Sequence, residues 1–267
     1  MDMILEVAIS AAKSAGEFIQ KSAQDLSSIK VEQKSLHDYV SEVDRGAEKI
    51  ITKRILSSFD GHQILGEEYG SQGIDEAQWQ WVIDPLDGTT NFLRSIAHYA
   101  VSIAVLKDGV VEYGVISDPT KNEMFTASRG KGATLNGLPI NVSSSAVNKG
   151  GLLATGIPFG GQNLEGVDVF SDVMVDLLKL QTSGIRRLGA AALDLAYVAA
   201  GRYEGFWESN LKLWDIAAGV LLVQEAGGSV SDLGGKQNHL NSGDVLAASL
   251  GYYEQMLSVC KSHYGNM

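Results

Sequence analysis

The sequence predicts a layered α/β fold, and three observations predict it. Strand-like runs cluster in the middle of the chain, helical patterns flank them on both sides, and Asp-Gly and Asn-Gly turns join the strands. Ile4, Leu5, Ala8, Ala11, Ala12, Ala15, Phe18 and Ile19 fall along one side of an amphipathic N-terminal helix. Ser41 followed by Asp44 reads as the cap of a second helix, whose buried face continues through Ala47, Ile50, Ile51 and Ile55. Gln63-Ile64-Leu65 and Trp81-Val82-Ile83 read as short strands, the second ended by Pro85, which has no N–H for a ladder. Ala100 to Leu106 and Val110 to Ile116 form a hairpin across Asp108-Gly109. Strands at Glu123 to Ala127 and Ala133 to Leu135 follow, then a turn at Asn136-Gly137. Ser143-Ser144-Ser145 opens a seam, residues 143–151, between two closely packed halves of one 1–267 domain. Beyond it lie a strand at Leu152 to Thr155 and helices over Val167 to Leu180, Ala190 to Ala200 (ended by Gly201) and Ile216 to Ala226 (stopped by Gly227-Gly228).

Composition excludes several classes. No run reaches the ~18 apolar residues that a membrane span needs. Asp2 and Glu6 stand where a signal peptide would be basic, so a cytoplasmic location is expected. The single cysteine, Cys260, cannot form an internal disulfide and reads as a buried helix residue. A net charge of −11, with Lys53-Arg54 and Arg186-Arg187 the only adjacent basic pairs, argues against a nucleic-acid groove. His37, His62, His98, His239 and His263 show no zinc spacing.

The chemistry concentrates in three acidic clusters. In Trp81 to Phe92 two acids, Asp84 and Asp87, leave the sheet beside Gly88-Thr89-Thr90. The amides after Gly88 can face an anion if a helix starts there. Two carboxylates beside such amides suit a hard divalent cation holding a phosphate, although Asp-Gly is also an ordinary turn. Gly66-Glu67-Glu68 is the second cluster, open also to reading as a solvated face. The third is Trp214-Asp215 before the long apolar helix, where Asp215 could be a plain N-cap.

Together these pieces resemble the inositol monophosphatase family, of bacterial type, within the lithium-sensitive, magnesium-dependent phosphatases. Trp81 to Asn91 resembles its first signature, Trp214 to Gly228 its second, and residues 66–68 its Gly-Glu-Glu element. Lys34 through Asp44, Gly130 to Ala133 with Asn136-Gly137, and Arg186 to Asp194 extend the likeness along the chain. The resemblance implies an αβαβα sandwich of the inositol monophosphatase and fructose-1,6-bisphosphatase type. It implies a first Mg²⁺ held by Glu67, Asp84 and the Leu86 carbonyl, a second by Asp84, Asp87 and Asp215, and a weaker third leaning on Glu67, with Mn²⁺ as a substitute. Gly88 and Thr89 amides would take phosphate oxygens. Asp44, Thr89 and Glu67 would orient and deprotonate the attacking water. Arg186, Ala191 and Glu208 would face the substrate alcohol, with Asp87 and Asp215 also lining it.

The chain departs from the family pattern at Ser41 (often Thr), Ser95 (often Gly or Arg), Ala97 (often Pro) and Leu211-Lys212-Leu213. The implied activity is hydrolysis of inositol 1-phosphate or a similar small phosphorylated polyol, by a homodimer. A nucleotide 3′-phosphate, fructose 1,6-bisphosphate or histidinol phosphate are the alternative esters. A phosphoaspartate enzyme is the rival use of an Asp near Gly-Thr. A regulatory partner of the transcription machinery is the rival class.

Overall fold

A computed structural model describes residues 2–35, 38–145, 149–158 and 165–265. Helix α1 (Met3–Ser22) begins where Asp2 accepts the Ile4 amide at 3.1 Å, and it buries Val7, Ala8, Ala11, Ala12, Ala15 and Ile19. The two-stranded β1 (Val31–Ser35) and β2 (Asp38–Ser41) lead into α2 (Glu42–Leu56), which Ser41 and Asp44 cap reciprocally as expected.

Eight strands then build one sheet: β3 (Gln63–Gly66), β4 (Gly70–Gly73), β5 (Trp79–Asp87), β6 (Ala100–Lys107), β7 (Val110–Asp118), β8 (Glu123–Ser128), β9 (Ala133–Leu135) and β10 (Leu138–Ile140). Their order is β10-β9-β8-β7-β6-β5-β3-β4, antiparallel throughout except for β3 beside β5. Helix α3 (Thr89–Leu93) sits between β5 and β6. The change of sheet falls between Ile140 and Leu152; residues 146–148 of the expected seam lie outside the described residues. The second sheet holds β11 (Leu152–Thr155), β12 (Gly184–Arg186), β13 (Gly205–Glu208), β14 (Ser229–Ser231) and β15 (Val245–Ala248), in the order β12-β11-β13-β15-β14. The remaining helices are α4 (Glu165–Leu178), α5 (Ala191–Ala199), α6 (Leu213–Glu225), α7 (His239–Ser242) and α8 (Leu250–Tyr264).

The two-residue period of the strands decides the layers. Trp81, Ile83, Val101, Ile103 and Val105 pack with α1 and α2, whereas Val82, Ala100, Ala104 and Leu106 pack with α5 and α6. Helices α5 and α6 also take Ala154, Phe206, Val245 and Ala247 from the second sheet. The opposite faces of those strands, Leu153, Trp207, Leu246 and Ala248, are covered by Phe170, Val173 and Leu177 of α4 and Tyr252, Met256 and Cys260 of α8. Five layers result, α1/α2, sheet, α5/α6, sheet, α4/α8, the αβαβα sandwich. Cys260 is fully buried and burial pushes its thiol up to about 12, which leaves it inert as a nucleophile.

One expectation is corrected. Strand β5 does not stop at Pro85 but runs to Asp87. Asp84 pairs with Ser102 and Asp87 with Ala100, so β5 carries one extra residue here, a bulge. Pairing with β3 ends at Ile83, opposite Gly66, so Pro85 lies beyond the last pairing on that edge.

Candidate active site

The sequence-predicted acids meet where strand ends face helix starts. Glu67 follows β3, and its amide donates to the Ile83 carbonyl at 3.1 Å. Asp84, Leu86 and Asp87 sit on the bulge of β5; Asp84 is 2% exposed and its Oδ1 accepts the Leu86 amide at 2.9 Å. Gly88 then turns the chain into α3 with a φ of +93°. A Cβ there would lie 3.0 Å from the His98 carbonyl oxygen, so conformation and space both call for glycine. The first amides of α3 point forward and are not used within the helix.

Asp44 reaches the same place from the third position of α2. Its Oδ2 accepts the Ser41 amide at 2.8 Å and the Ser41 hydroxyl at 2.6 Å. Its Oδ1 lies 2.8 Å from the Thr89 hydroxyl, which is also 3.0 Å from the Leu86 carbonyl. The single hydroxyl proton can serve only one of these acceptors at a time. Burial raises the Asp44 carboxyl above its ordinary range, against the hydrogen bonds from Ser41 and Thr89. Serine in place of threonine at position 41 therefore keeps the cap and the link to Asp44.

Asp215 is not the N-cap of α6. Lys212 occupies that position, and Asp215 reaches back from the first turn to accept the Lys212 amide at 2.6 Å. Asp87 Oδ2 accepts the Ala192 amide of α5 at 2.7 Å, which ties the bulge to a helix of the middle layer. Ala191 opens α5 and is buried. Glu208 ends β13 against Gly156, where a Cβ would overlap its carboxylate. It is half-buried, and burial with the Asp215 charge pushes it up to about 8, so it is not an ordinary solvated carboxylate.

These acids feel one another. Burial first, then Glu67, Asp87 and Asp215, raises Asp84 well above the carboxylate range. Asp87 is raised by burial, then by Asp215, Glu208 and Glu67. Among the described residues no three of these groups already enclose one point as a ligand shell. The arrangement is instead a concentration of negative charge, offset by the Arg187 charge and by the positive N-terminal ends of α2, α3, α5 and α6. Clustered carboxylates with a backbone carbonyl beside them are oxygen donors only, the set that fits Mg²⁺ or Mn²⁺.

Among the described residues the histidines have other partners or places. His62 accepts from Trp81 Nε1 at 2.9 Å, His98 and His239 are buried, and His263 pairs with Asp176 at 2.8 Å. His37 lies outside the described residues.

Arg186 is exposed on the edge strand β12, 3.5 Å from the Ile185 carbonyl. The charge that lowers Glu208 and Asp194 belongs to the next residue, Arg187. Three further residues carried no sequence expectation of a role. Asp194 of α5 is buried with Oδ1 unpartnered, and burial with the Glu208 and Asp87 charges raises its carboxyl well above the ordinary range. An acid inside an otherwise apolar helical run was its signal. Asn91 donates to the His98 and Leu188 carbonyls, each at 2.8 Å, and so holds the loop beside the site without a proline at 97. Glu48, fully buried in α2, is the third. Lys212 stands at the N-cap of α6, in the Leu211-Lys212-Leu213 segment that departs from the family pattern.

Comparison with known proteins agrees with this geometry. The model of the inositol monophosphatase family matches residues 1–263. The Nus factor SuhB of Pseudomonas aeruginosa is 48% identical over 265 residues, covering 98% of this chain and 97% of its own. The Nus factor SuhB of Escherichia coli (strain K12) is 43% identical over 258 residues, covering 97% and 96%. The crystal structure of the extragenic suppressor protein suhB from Bartonella henselae superposes with a TM-score of 0.93 at 38% identity, over 97% of this chain and 99% of that one. The structure of the inositol monophosphatase from Anabaena (Nostoc) sp. PCC 7120 gives a TM-score of 0.82 at 33% identity, over 97% of this chain and 96% of that one. No helix among the described residues is long and apolar enough to cross a membrane. With its five layers, its acid cluster and a match along nearly its whole length, the chain belongs to the inositol monophosphatase family, whose members are generally magnesium-dependent phosphatases.

Proposed function

We propose that the chain hydrolyses inositol 1-phosphate, or a phosphate monoester of a closely similar polyol, to the free alcohol and inorganic phosphate. The observation that carries this reading is the convergence of Glu67, Asp84, Asp87 and Asp215 beside the Asp44–Thr89 hydrogen bond at the head of α3. Glu67, Asp84 and the Leu86 carbonyl would hold one Mg²⁺, Asp84, Asp87 and Asp215 a second, and Glu67 would share a weaker third. Bound there, Mg²⁺ neutralises the acids, lowers the pKa of water and offsets the charge of the phosphoryl group. The amides of Gly88 and Thr89 bind phosphate oxygens at the start of α3. The Thr89 hydroxyl, itself held by Asp44, fixes the attacking water, and Glu67 takes its proton. The new O–P bond forms as the ester P–O bond breaks, and the alcohol leaves with a proton from solvent. Glu208 and Ala191 meet the ring hydroxyls, with Arg186 at the outer edge. No phosphoaspartate is required, because several acids crowd together and none stands alone as a nucleophile.

Turnover of inositol 1-phosphate by purified protein tests this directly. Activity should require Mg²⁺, fall with millimolar Li⁺, a family expectation, and fall with excess Ca²⁺, which takes longer and looser oxygen coordination. Equal activity in EDTA would overturn the reading.

A transcription-related role is the second reading, and the relatives named Nus factor SuhB support it. Purified RNA polymerase complexes should then retain both the unmodified protein and Asp84→Asn; retention of neither removes this reading. The resemblance also supports a cytoplasmic homodimer, which light scattering of the purified protein checks.

A further inference from the structure

The acid that the proposed reaction uses as a base, Glu67, sits on the three-residue turn between β3 and β4, and something must hold that turn. Glu48 does so from the fully buried face of α2. Its Oε2 accepts the Glu68 amide at 2.8 Å, and its Oε1 accepts the Tyr69 amide at 3.1 Å and Gln72 Nε2 at 3.4 Å. Gly66 has no side chain because a Cβ there would lie 2.0 Å from Glu48 Oε1. Residues beside Glu48 on α2 reinforce the grip: the Lys49 ammonium lies 5.3 Å from the centre of the Tyr69 ring, and Arg45 feels the charge of Glu68. Glu48 is also one helical turn from Asp44, on the same face. One helix thus carries Asp44 into the site at its start and pins the segment bearing Glu67 four residues later.

We propose that Glu48 is a positioning residue: its buried carboxylate, seated on the Glu68 and Tyr69 amides in the space left by Gly66, sets Glu67 relative to Asp44 and thereby the affinity for Mg²⁺. This rests on the phosphatase reading above. It differs from simple stabilisation of the turn, because a structural role alone would leave metal affinity unchanged in the folded protein.

The experiment measures three quantities on full-length Glu48→Gln and Gly66→Ala: the melting temperature without metal, its rise with added Mg²⁺, and the Mg²⁺ concentration for half-maximal hydrolysis. Glutamine keeps the shape but turns one end into a donor facing donors. Alanine at 66 leaves Glu48 chemically intact and displaces it. Both variants should raise the Mg²⁺ half-saturation about tenfold, as loss of groups that orient metal ligands does. Both should reduce the Mg²⁺-induced rise in melting temperature. The KM at saturating Mg²⁺ should stay within about twofold. In a Glu48→Ala background, Gly66→Ala should add little, since the displaced group is gone.

Lower melting temperatures with an unchanged Mg²⁺ response would overturn the positioning role and leave the phosphatase reading standing. Absence of any Mg²⁺ response in the unmodified protein would overturn that reading and this role with it. If Glu48→Gln fails to fold, Gly66→Ala decides, and a native Mg²⁺ half-saturation in it overturns the proposal.

Discussion

Asp84 shows how one residue can be both a liability to folding and the centre of a site. It is nearly fully buried, accepts the Leu86 amide and faces Glu67, Asp87 and Asp215. Asp84→Asn should lower kcat at least tenfold, since an amide has no charge to hold a cation, and each decade corresponds to about 1.4 kcal/mol of barrier. The metal-free melting temperature should hold or rise as like-charge repulsion falls. Retention of more than a tenth of the native kcat would remove Asp84 from the proposed bridging position. Glu208 presents the complementary case, since it stands apart from the bulge, against Gly156. Glu208→Ala should weaken kcat/KM for inositol 1-phosphate by about 1.5–3 kcal/mol, the range for a hydrogen bond to a charged group. Glycerol 2-phosphate, which lacks the ring, should lose far less. An equal loss for both substrates would make Glu208 part of the phosphate or metal environment instead.

At the scale of elements, the site depends on how closely the middle-layer helices pack. Gly219 lies in the interior of α6, where alanine would ordinarily be favoured by about 1 kcal/mol. A Cβ at 219 would, however, stand 2.5 Å from Leu195 Cβ of α5. Gly219→Ala should therefore destabilise by about 1–3 kcal/mol, because overpacking outweighs helix propensity. It should also lower activity, since α5 brings the Ala192 amide to Asp87 and α6 brings Asp215. A raised urea midpoint would show that the two helices can separate freely. The hairpin of β6 and β7 was legible because each strand is long enough for its pattern to show. Strands β4, β9, β10 and β12 are three or four residues long. So short a segment carries no resolvable period, and β4, β10 and β12 are not legible in the sequence, while β9 is placed mainly by its neighbouring Asn-Gly turn. Proline 85 misled because a bulge accommodates it on a strand that is hydrogen-bonded along its β6 edge, and sequence does not reveal which edge a strand uses.

For the whole molecule, the shared α5/α6 layer makes the two sheets depend on one another. Urea unfolding monitored by tryptophan fluorescence and by far-ultraviolet dichroism should give coincident single transitions. Separate transitions would divide the 1–267 unit. Acid stability should depend on His98, which is 6% exposed and whose imidazole is pushed by burial, and then by Lys121, down to about 4. The unfolded chain takes up this proton near the ordinary value of 6.5, the folded chain only near 4. Its contribution to stability is thus lost as pH falls between those values, by about 3 kcal/mol at most. The raised site acids act in the opposite sense, so the comparison must be made between proteins. His98→Gln should flatten the stability profile between pH 7 and 4 relative to the unmodified chain; parallel profiles would show that His98 titrates normally.

By itself the sequence determined the local structure: which runs alternate, where Ser41 and Asp44 cap a helix, where Gly88 must turn, and which acids stand beside them. Those features depend on neighbours within a few residues, so they are written in order along the chain. Family resemblance added which of the acids belong together. Only the tertiary structure decided how they meet. Asp44, Asp87, Glu208 and Asp215 lie on four separate elements and Glu67 on the turn after β3, and their approach depends on α5 and α6 being gripped between two sheets. It also decided that Arg187, not Arg186, places its charge on Glu208, and that Glu48 holds the turn of Glu67. Long-range packing sets these partners, and a chain read in order holds no record of which distant residues its folded surfaces will bring into contact.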